Sequence, residues 1–192
     1  MTVHPVRMKH YDFQKTFRAL YDKTVDLYAK GQRDLAVFFT ANEKTFLSEN
    51  GLTTQNIFDY AEDHNKYGEP SLDLALGIET IRRDYFLLEQ QGVPSTVVLD
   101  ETKMPAKTDS IRGIEWLPRI IPKAKAKLRG ELPSSLMYCC GGDRKFLKAH
   151  DINPVEFLSI IRHYEKNDSA IIDWVVRRSA TGKAAPRPNW DR

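Results

Sequence analysis

Residues 12–31 read DFQKTFRALYDKTVDLYAKG, and residues 111–130 read IRGIEWLPRIIPKAKAKLRG. In the first stretch Phe13, Phe17, Leu20, Tyr21, Thr24, Leu27 and Tyr28 recur at the three- and four-residue steps of one buried helical stripe. Gly31 stands where such a helix stops, because glycine enters the left-handed cap conformation without a Cβ penalty. Gly130 holds the corresponding place in the second stretch. The spacing predicts a first helix from about Asp12 to Lys30 and sets the search for a second copy of the same unit.

Sliding the chain along itself by about 100 residues produces an ordered series of matches. Phe17 falls on Trp116, Lys30-Gly31 on Arg129-Gly130, and Phe38-Phe39 on Met137-Tyr138. A one-residue shift then sets Glu43 on Asp143 and Phe46-Leu47 on Phe146-Leu147. Leu52 meets Ile152, Ile57-Phe58 meet Phe157-Leu158, and Leu72, Ala75 and Leu76 meet Ile172, Val175 and Val176. The expected fold class is therefore all-α: two diverged copies of a small multi-helix unit, packed as a pseudo-symmetric pair. In this pairing Arg119 corresponds to Leu20, Lys123 to Thr24 and Cys140 to Thr40, so the apolar frame recurs and the polar cluster does not.

The expected boundaries are a first repeat over 11–92, a connector over 93–111, a second repeat over 112–178 and a flexible basic tail over 179–192. Within the repeats, Asn42 and Asp143 are placed to cap short helices. Asn153-Pro154-Val155-Glu156 is a start signal, with a capping side chain, proline in the first turn and glutamate at the third position. Asp168 is placed to cap the last helix, and the first copy extends its own last helix towards Gly92. In the connector, Thr96-Val97-Val98-Leu99 reads as either a short strand or an extended packed segment, and Glu101 to Ser110 reads as a polar surface loop.

Composition narrows the classes. The 192 residues are 41% hydrophobic and 29% charged, an ordinary globular balance that needs no staples to form a core. No apolar run approaches the ~20 residues of a membrane span. His4, Arg7, Lys9 and His10 crowd the first ten residues without an apolar stretch, so no secretory signal is expected there. The two cysteines, Cys139 and Cys140, are adjacent, and a strain-free bridge between neighbours is disfavoured. Reduced thiols and a cytoplasmic location are the expectation. The net charge of +3 is mild, but the chain is acidic up to Asp100 and basic beyond it.

Gly113, Trp116-Leu117-Pro118-Arg119, Lys123, Leu128, Gly130, Tyr138, Cys140, Asp143, Phe146-Leu147, Ile152 and Ile172-Asp173-Trp174-Val175 form a combined pattern over about Ile111 to Arg178. That pattern resembles a bacterial family catalogued as Domain of Unknown Function five thousand sixty-nine. The first half enters the resemblance only through the repeat. The resemblance implies a fold and no activity. This chain departs from the family pattern at Pro122, where an aspartate is expected, at Lys125 in place of arginine, and at Gly141-Gly142 in place of Pro-Leu.

Two constellations carry candidate chemistry. Arg119, Lys123 and Lys127 fall on one helical face, with Lys125 and Arg129 beside it, a basic surface able to hold phosphates or to lie solvated over apolar neighbours. Pro118 and Pro122 leave open whether that helix kinks or starts late. Arg119, Lys123, Cys140 and Asp143 form a candidate ligand or anion site, since a thiol before a helix and Gly-Gly amides can cradle an anion. Burial of the thiol and capping by Asp143 account for the same residues without a ligand. The histidines show no metal spacing, and no phosphate loop or hydrolase motif occurs. No catalytic residue, metal or cofactor is expected. The favoured reading is a helical interaction module that binds a protein partner through its basic second half. A nucleic-acid or polyanion binder and a small-molecule enzyme or sensor stay open as alternatives.

Overall fold

The computed structural model describes residues 10–181. His4 and the tail beyond Thr181 lie outside them. Among the described residues the chain forms nine α-helices and one two-stranded ribbon. The helices are α1 (Phe13–Ala29), α2 (Leu35–Phe38), α3 (Ala41–Glu49), α4 (Thr54–Tyr67), α5 (Leu72–Leu88), α6 (Leu117–Arg129), α7 (Gly141–Ala149), α8 (Pro154–His163) and α9 (Asp168–Thr181). The ribbon pairs β1 (Ser110–Ile111) with β2 (Ile114–Glu115). The mostly helical class read from the periodicity is what forms, with its strands at 110–115 rather than at 96–99.

Two compact units divide the chain, one of residues 10–49 and 53–76, the other of 50–52 and 77–181. The division falls inside α5, not at the expected boundary near Gly92. It falls there because α5 runs on unbroken, and its later turns bury Ile78, Arg82 and Phe86 in the second unit. At the far end, residues 179–181 continue α9 instead of opening the tail.

In the first unit α1 buries Phe13, Phe17, Leu20, Tyr21, Thr24 and Tyr28, the stripe its spacing predicts apart from Leu27. Phe13 stacks on Phe46 with ring centres 5.8 Å apart, and Phe38 meets Phe58 edge-on at 5.2 Å. The Tyr21 hydroxyl donates to the Pro70 carbonyl at 2.6 Å, and burial raises its pKa to about 12. Helix α3 opens with a capping box. The Thr40 N–H donates to Glu43 at 2.7 Å, and the Glu43 N–H returns to the Thr40 hydroxyl at 3.3 Å. Thr40, not Asn42, is thus the cap. Glu43 also accepts from Lys23 Nζ at 2.8 and 2.9 Å, fastening α3 to α1.

In the second unit α6 buries Leu117, Ile120, Ile121, Ala124 and Leu128. These positions stand at one constant interval from Phe17, Leu20, Tyr21, Thr24 and Tyr28 of α1. At that interval Lys23 falls on Lys123, whereas the glycine turns set Thr24 there. Gly130 stands one residue earlier relative to its apolar stripe than Gly31 does. Helix α6 begins at Leu117 with Pro118 in its first turn, and Pro122 lies within a continuous helix. Asn153 caps α8, accepting from the Val155 N–H at 2.8 Å. The cap of α9 is Asn167, whose side chain accepts from the Ala170 N–H at 3.1 Å, while Asp168 turns to Lys125.

Between α5 and β1 the backbone of residues 93–99 forms neither helix nor strand. It is tied to the unit at Glu131: the Leu99 N–H donates to the Glu131 carbonyl at 2.8 Å, and the Ser95 hydroxyl to its side chain at 2.8 Å. The expected packing of this segment does not occur. Val93, Val97 and Val98 are 67%, 59% and 65% exposed, and Leu88 at the end of α5 is 68% exposed.

Candidate functional site

The site is built where the ribbon hands over to α6. Arg112 and Gly113 both take positive φ, 52° and 76°, which is the two-residue turn that matches strand twist in a tight hairpin. Trp116, immediately before α6, also has a left-handed backbone at φ 69° and is 4% exposed. That conformation is costly for a bulky residue and is held by what the side chain reaches. Its indole N–H donates to Asp143 Oδ1 at 3.0 Å. A Cβ on Gly142 would lie 2.8 Å from the indole Cη2 and Cζ2, so the bare glycine leaves the ring its seat. Of the Gly-Gly that departs from the family pattern, Gly142 thus has a local packing reason.

Lys123, one turn and a half into α6, points to the same carboxylate. Its Nζ donates to both Asp143 oxygens at 3.0 Å and lies 3.5 Å from the Cys140 sulfur. Lys123 is 3% exposed and Asp143 is fully buried. Burial by itself pushes the ammonium down, but the Asp143 carboxylate and the Cys140 sulfur more than reverse this, and the Lys123 pKa is raised. Burial pushes the Cys140 thiol up, and Asp143 adds to the rise. Lys123 and the amides of Asp143 and Gly142 only partly offset them.

Asp143 is in the first turn of α7, not its cap, and accepts a further bond from the Cys139 N–H at 3.0 Å. The Cys139 backbone is left-handed at φ 68°, and its carbonyl accepts from Arg144 at 2.7 Å. A carboxylate offers about four acceptor positions and an ammonium three donors. Asp143 takes two bonds from Lys123, one from Trp116 and one from Cys139, so its capacity is used within the cluster.

Of the candidate ligand site, the fold brings together Lys123, Cys140 and Asp143. Arg119 is adjacent but turned away: its guanidinium donates to the Pro105 carbonyl at 2.7 Å and lies 6.0 Å from the Trp116 ring centre. The candidate basic surface is not laid out as one exposed face. Lys127 is buried and donates to Glu79 at 2.5 Å, Lys125 pairs with Asp168, and Arg129 donates to Glu165 at 2.6 Å. Helix α6 is packed on more than one side, so its long cations reach inward or sideways to carboxylates. The acidic partners Glu79, Glu165 and Asp168 were not foreseen, because nothing local in the sequence pairs them with α6. The indole acceptor could have been suspected from a tryptophan placed one step ahead of a helix that carries a buried lysine.

Among the described residues no group of His, Cys, Asp and Glu side chains could hold a metal ion, and no helix is long and apolar enough to cross a membrane. What the site defines is a saturated Lys–Asp–Trp cluster at the joint of two helices. Residues 102–192 match the family model described as Domain of unknown function (DUF5069), so the resemblance read from the sequence holds over the second half. Neither the curated proteins nor the solved structures include a match to this chain.

Breaking a buried ion pair from one side strands the other charge, whereas removing both with apolar side chains is often neutral or stabilising. Lys123→Met or Asp143→Asn alone is expected to cost ~3–5 kcal/mol, and Lys123→Met with Asp143→Leu to restore much of that loss. Urea titrations of the three variants read this directly, and simple additivity would contradict the latch.

The raised Lys123 pKa has a definite consequence for pH. The folded chain holds this proton more tightly than the unfolded chain, so the stabilisation is complete at neutral pH. It is lost as pH climbs from the ordinary lysine value of about 10.4 through the higher folded one. The raised Cys140 thiol acts in the same direction. Circular dichroism across alkaline pH should show the wild type losing stability more steeply than the Met/Leu pair variant, and parallel curves would refute the assignment.

Proposed function

We propose that this chain is an interaction module whose partner is a protein, engaged at the segment Val93–Leu99 and the adjoining end of α5. The observation that carries this reading is the row of exposed Leu88, Val93, Val97 and Val98 on backbone fastened at Glu131. A row of exposed apolar side chains on a fastened segment is a surface that a partner's own apolar face can cover. The partner class it fits is a protein with a complementary apolar face.

The other two readings have less support. A polyanion site needs cations free to meet phosphates, and Lys123, Lys125, Lys127 and Arg129 each have a carboxylate at hand. A small-molecule site at Arg119, Lys123, Cys140 and Asp143 needs vacant bonding capacity, which the cluster uses internally. The test is capture from native lysate with nuclease present, comparing wild type with Val97→Asp/Val98→Asp. Both valines are exposed, so the variant is expected to fold normally and to lose a nuclease-resistant protein partner. Equal recovery of that partner by the variant, or recovery of nucleic acid alone before nuclease, would overturn the proposal.

The reading extends to origin: the two units descend from one unit by duplication. Support comes from the buried positions that α1 and α6 share at one interval, and from a Lys–carboxylate clasp in each unit, Lys23 with Glu43 and Lys123 with Asp143. An experimental structure in which α1, α3 and α4 superpose on α6, α7 and α8 is the expected outcome. Helix pairs that cross at unrelated angles would sink the duplication.

A further inference from the structure

Cys140 is the one member of the buried cluster whose chemistry the latch does not use. Its sulfur sits 3.5 Å from Lys123 Nζ, and the same nitrogen is hydrogen-bonded to both oxygens of Asp143. Cys140 is half-buried, while its neighbour Cys139 is fully buried. The Cys139 backbone is left-handed and tied through its N–H and carbonyl to Asp143 and Arg144, which holds it against the rearrangement a bridge between adjacent cysteines requires. The nearest nucleophile to an oxidised Cys140 is therefore an amine.

We propose that Lys123 and Cys140 form a modification site, a reversible covalent cross-link made under hydrogen peroxide. In the first step the Cys140 sulfur attacks one peroxide oxygen. The O–O bond breaks, the S–O bond forms, and the departing hydroxide takes the thiol proton and leaves as water, so sulfur is oxidised to the sulfenic acid and peroxide is reduced. In the second step Asp143 takes a proton from the Lys123 ammonium, and the nitrogen lone pair attacks the sulfenic sulfur. The N–S bond forms, the S–O bond breaks, and the hydroxyl leaves as water with the second nitrogen proton. No further oxidant is consumed, and the joined pair has lost two hydrogens in all.

The electrostatics of the cluster suit this product. Before reaction a full positive and a full negative charge are buried side by side. Afterwards the nitrogen is neutral and Asp143 carries the proton, so neither charge is left stranded in the core. A thiol beside a bound cation is common; here the amine is already in contact with the sulfur and its proton acceptor is already bonded to the amine. A dithiol reductant returns both side chains by attack on the N–S bond.

The experiment uses the full chain treated with hydrogen peroxide, free thiols then alkylated, and digestion after glutamate. This cut leaves Lys123 in the peptide between Glu115 and Glu131, and both cysteines in the peptide between Glu131 and Glu156. The expected result is the two peptides joined, short of two hydrogens, and separated by dithiothreitol. Cys139→Ser should retain the joined species and Cys140→Ser should lose it. Serine is a good residue for the helix-start position of Cys140, which keeps that variant folded. An unlinked cysteine peptide carrying an internal disulfide or a sulfinic acid, with the Lys123 peptide free, would overturn the proposal.

Discussion

A carboxylate with no access to water has to be answered on every side, and Asp143 is answered by a lysine, an indole and a backbone amide from two segments of chain. Each donor fixes something else. Lys123 sets the rotation of α6, the Trp116 N–H sets how the ribbon enters that helix, and the Cys139 N–H sets how the chain turns into α7. The left-handed backbones at Trp116 and Cys139 are tolerated because the bonds they permit would otherwise be missing from a buried anion. Leu117, Ile120, Phe146 and Phe157 are fully buried in this unit. The polar joint decides which of the packings available to such side chains is adopted.

Helical class and most helix positions were legible, because apolar spacing, glycine stops and the Asn153-Pro154 start are local signals. The stripe of α1 was read nearly complete for that reason. What escaped the reading depends on contacts between distant segments. Lys127 looked solvent-facing because Glu79, its buried partner, is on α5 and no local pattern links the two. Val97 and Val98 looked fit for packing on composition alone, yet the chain fastens at Glu131 with their side chains outward. At the site, the company of Lys123, Cys140 and Asp143 was foreseen, while the part played by Trp116 was not.

The charge of the second half illustrates how composition and surface diverge. Cations clustered along one helix read as a field offered to an anionic partner. In the fold, α6 meets acidic side chains from α5, α7 and the start of α9, and its Lys123 and Lys127 become internal counter-ions. An interaction read from charge and one read from exposed valines are different physical events, the first weakened by salt and the second largely indifferent to it.

The seat of the Trp116 ring on the bare backbone of Gly142 carries a consequence for the history of the sequence. Neither position is free to change by itself. A side chain at 142 collides with the indole, and a smaller residue at 116 leaves both an empty space and a carboxylate short of a donor. The two sites therefore form an epistatic pair, and the order of their replacements matters: the ring has to shrink or swing aside before the glycine can be lost. Sequences that place a large residue in one position and keep the other unchanged should be rare among chains built on this joint.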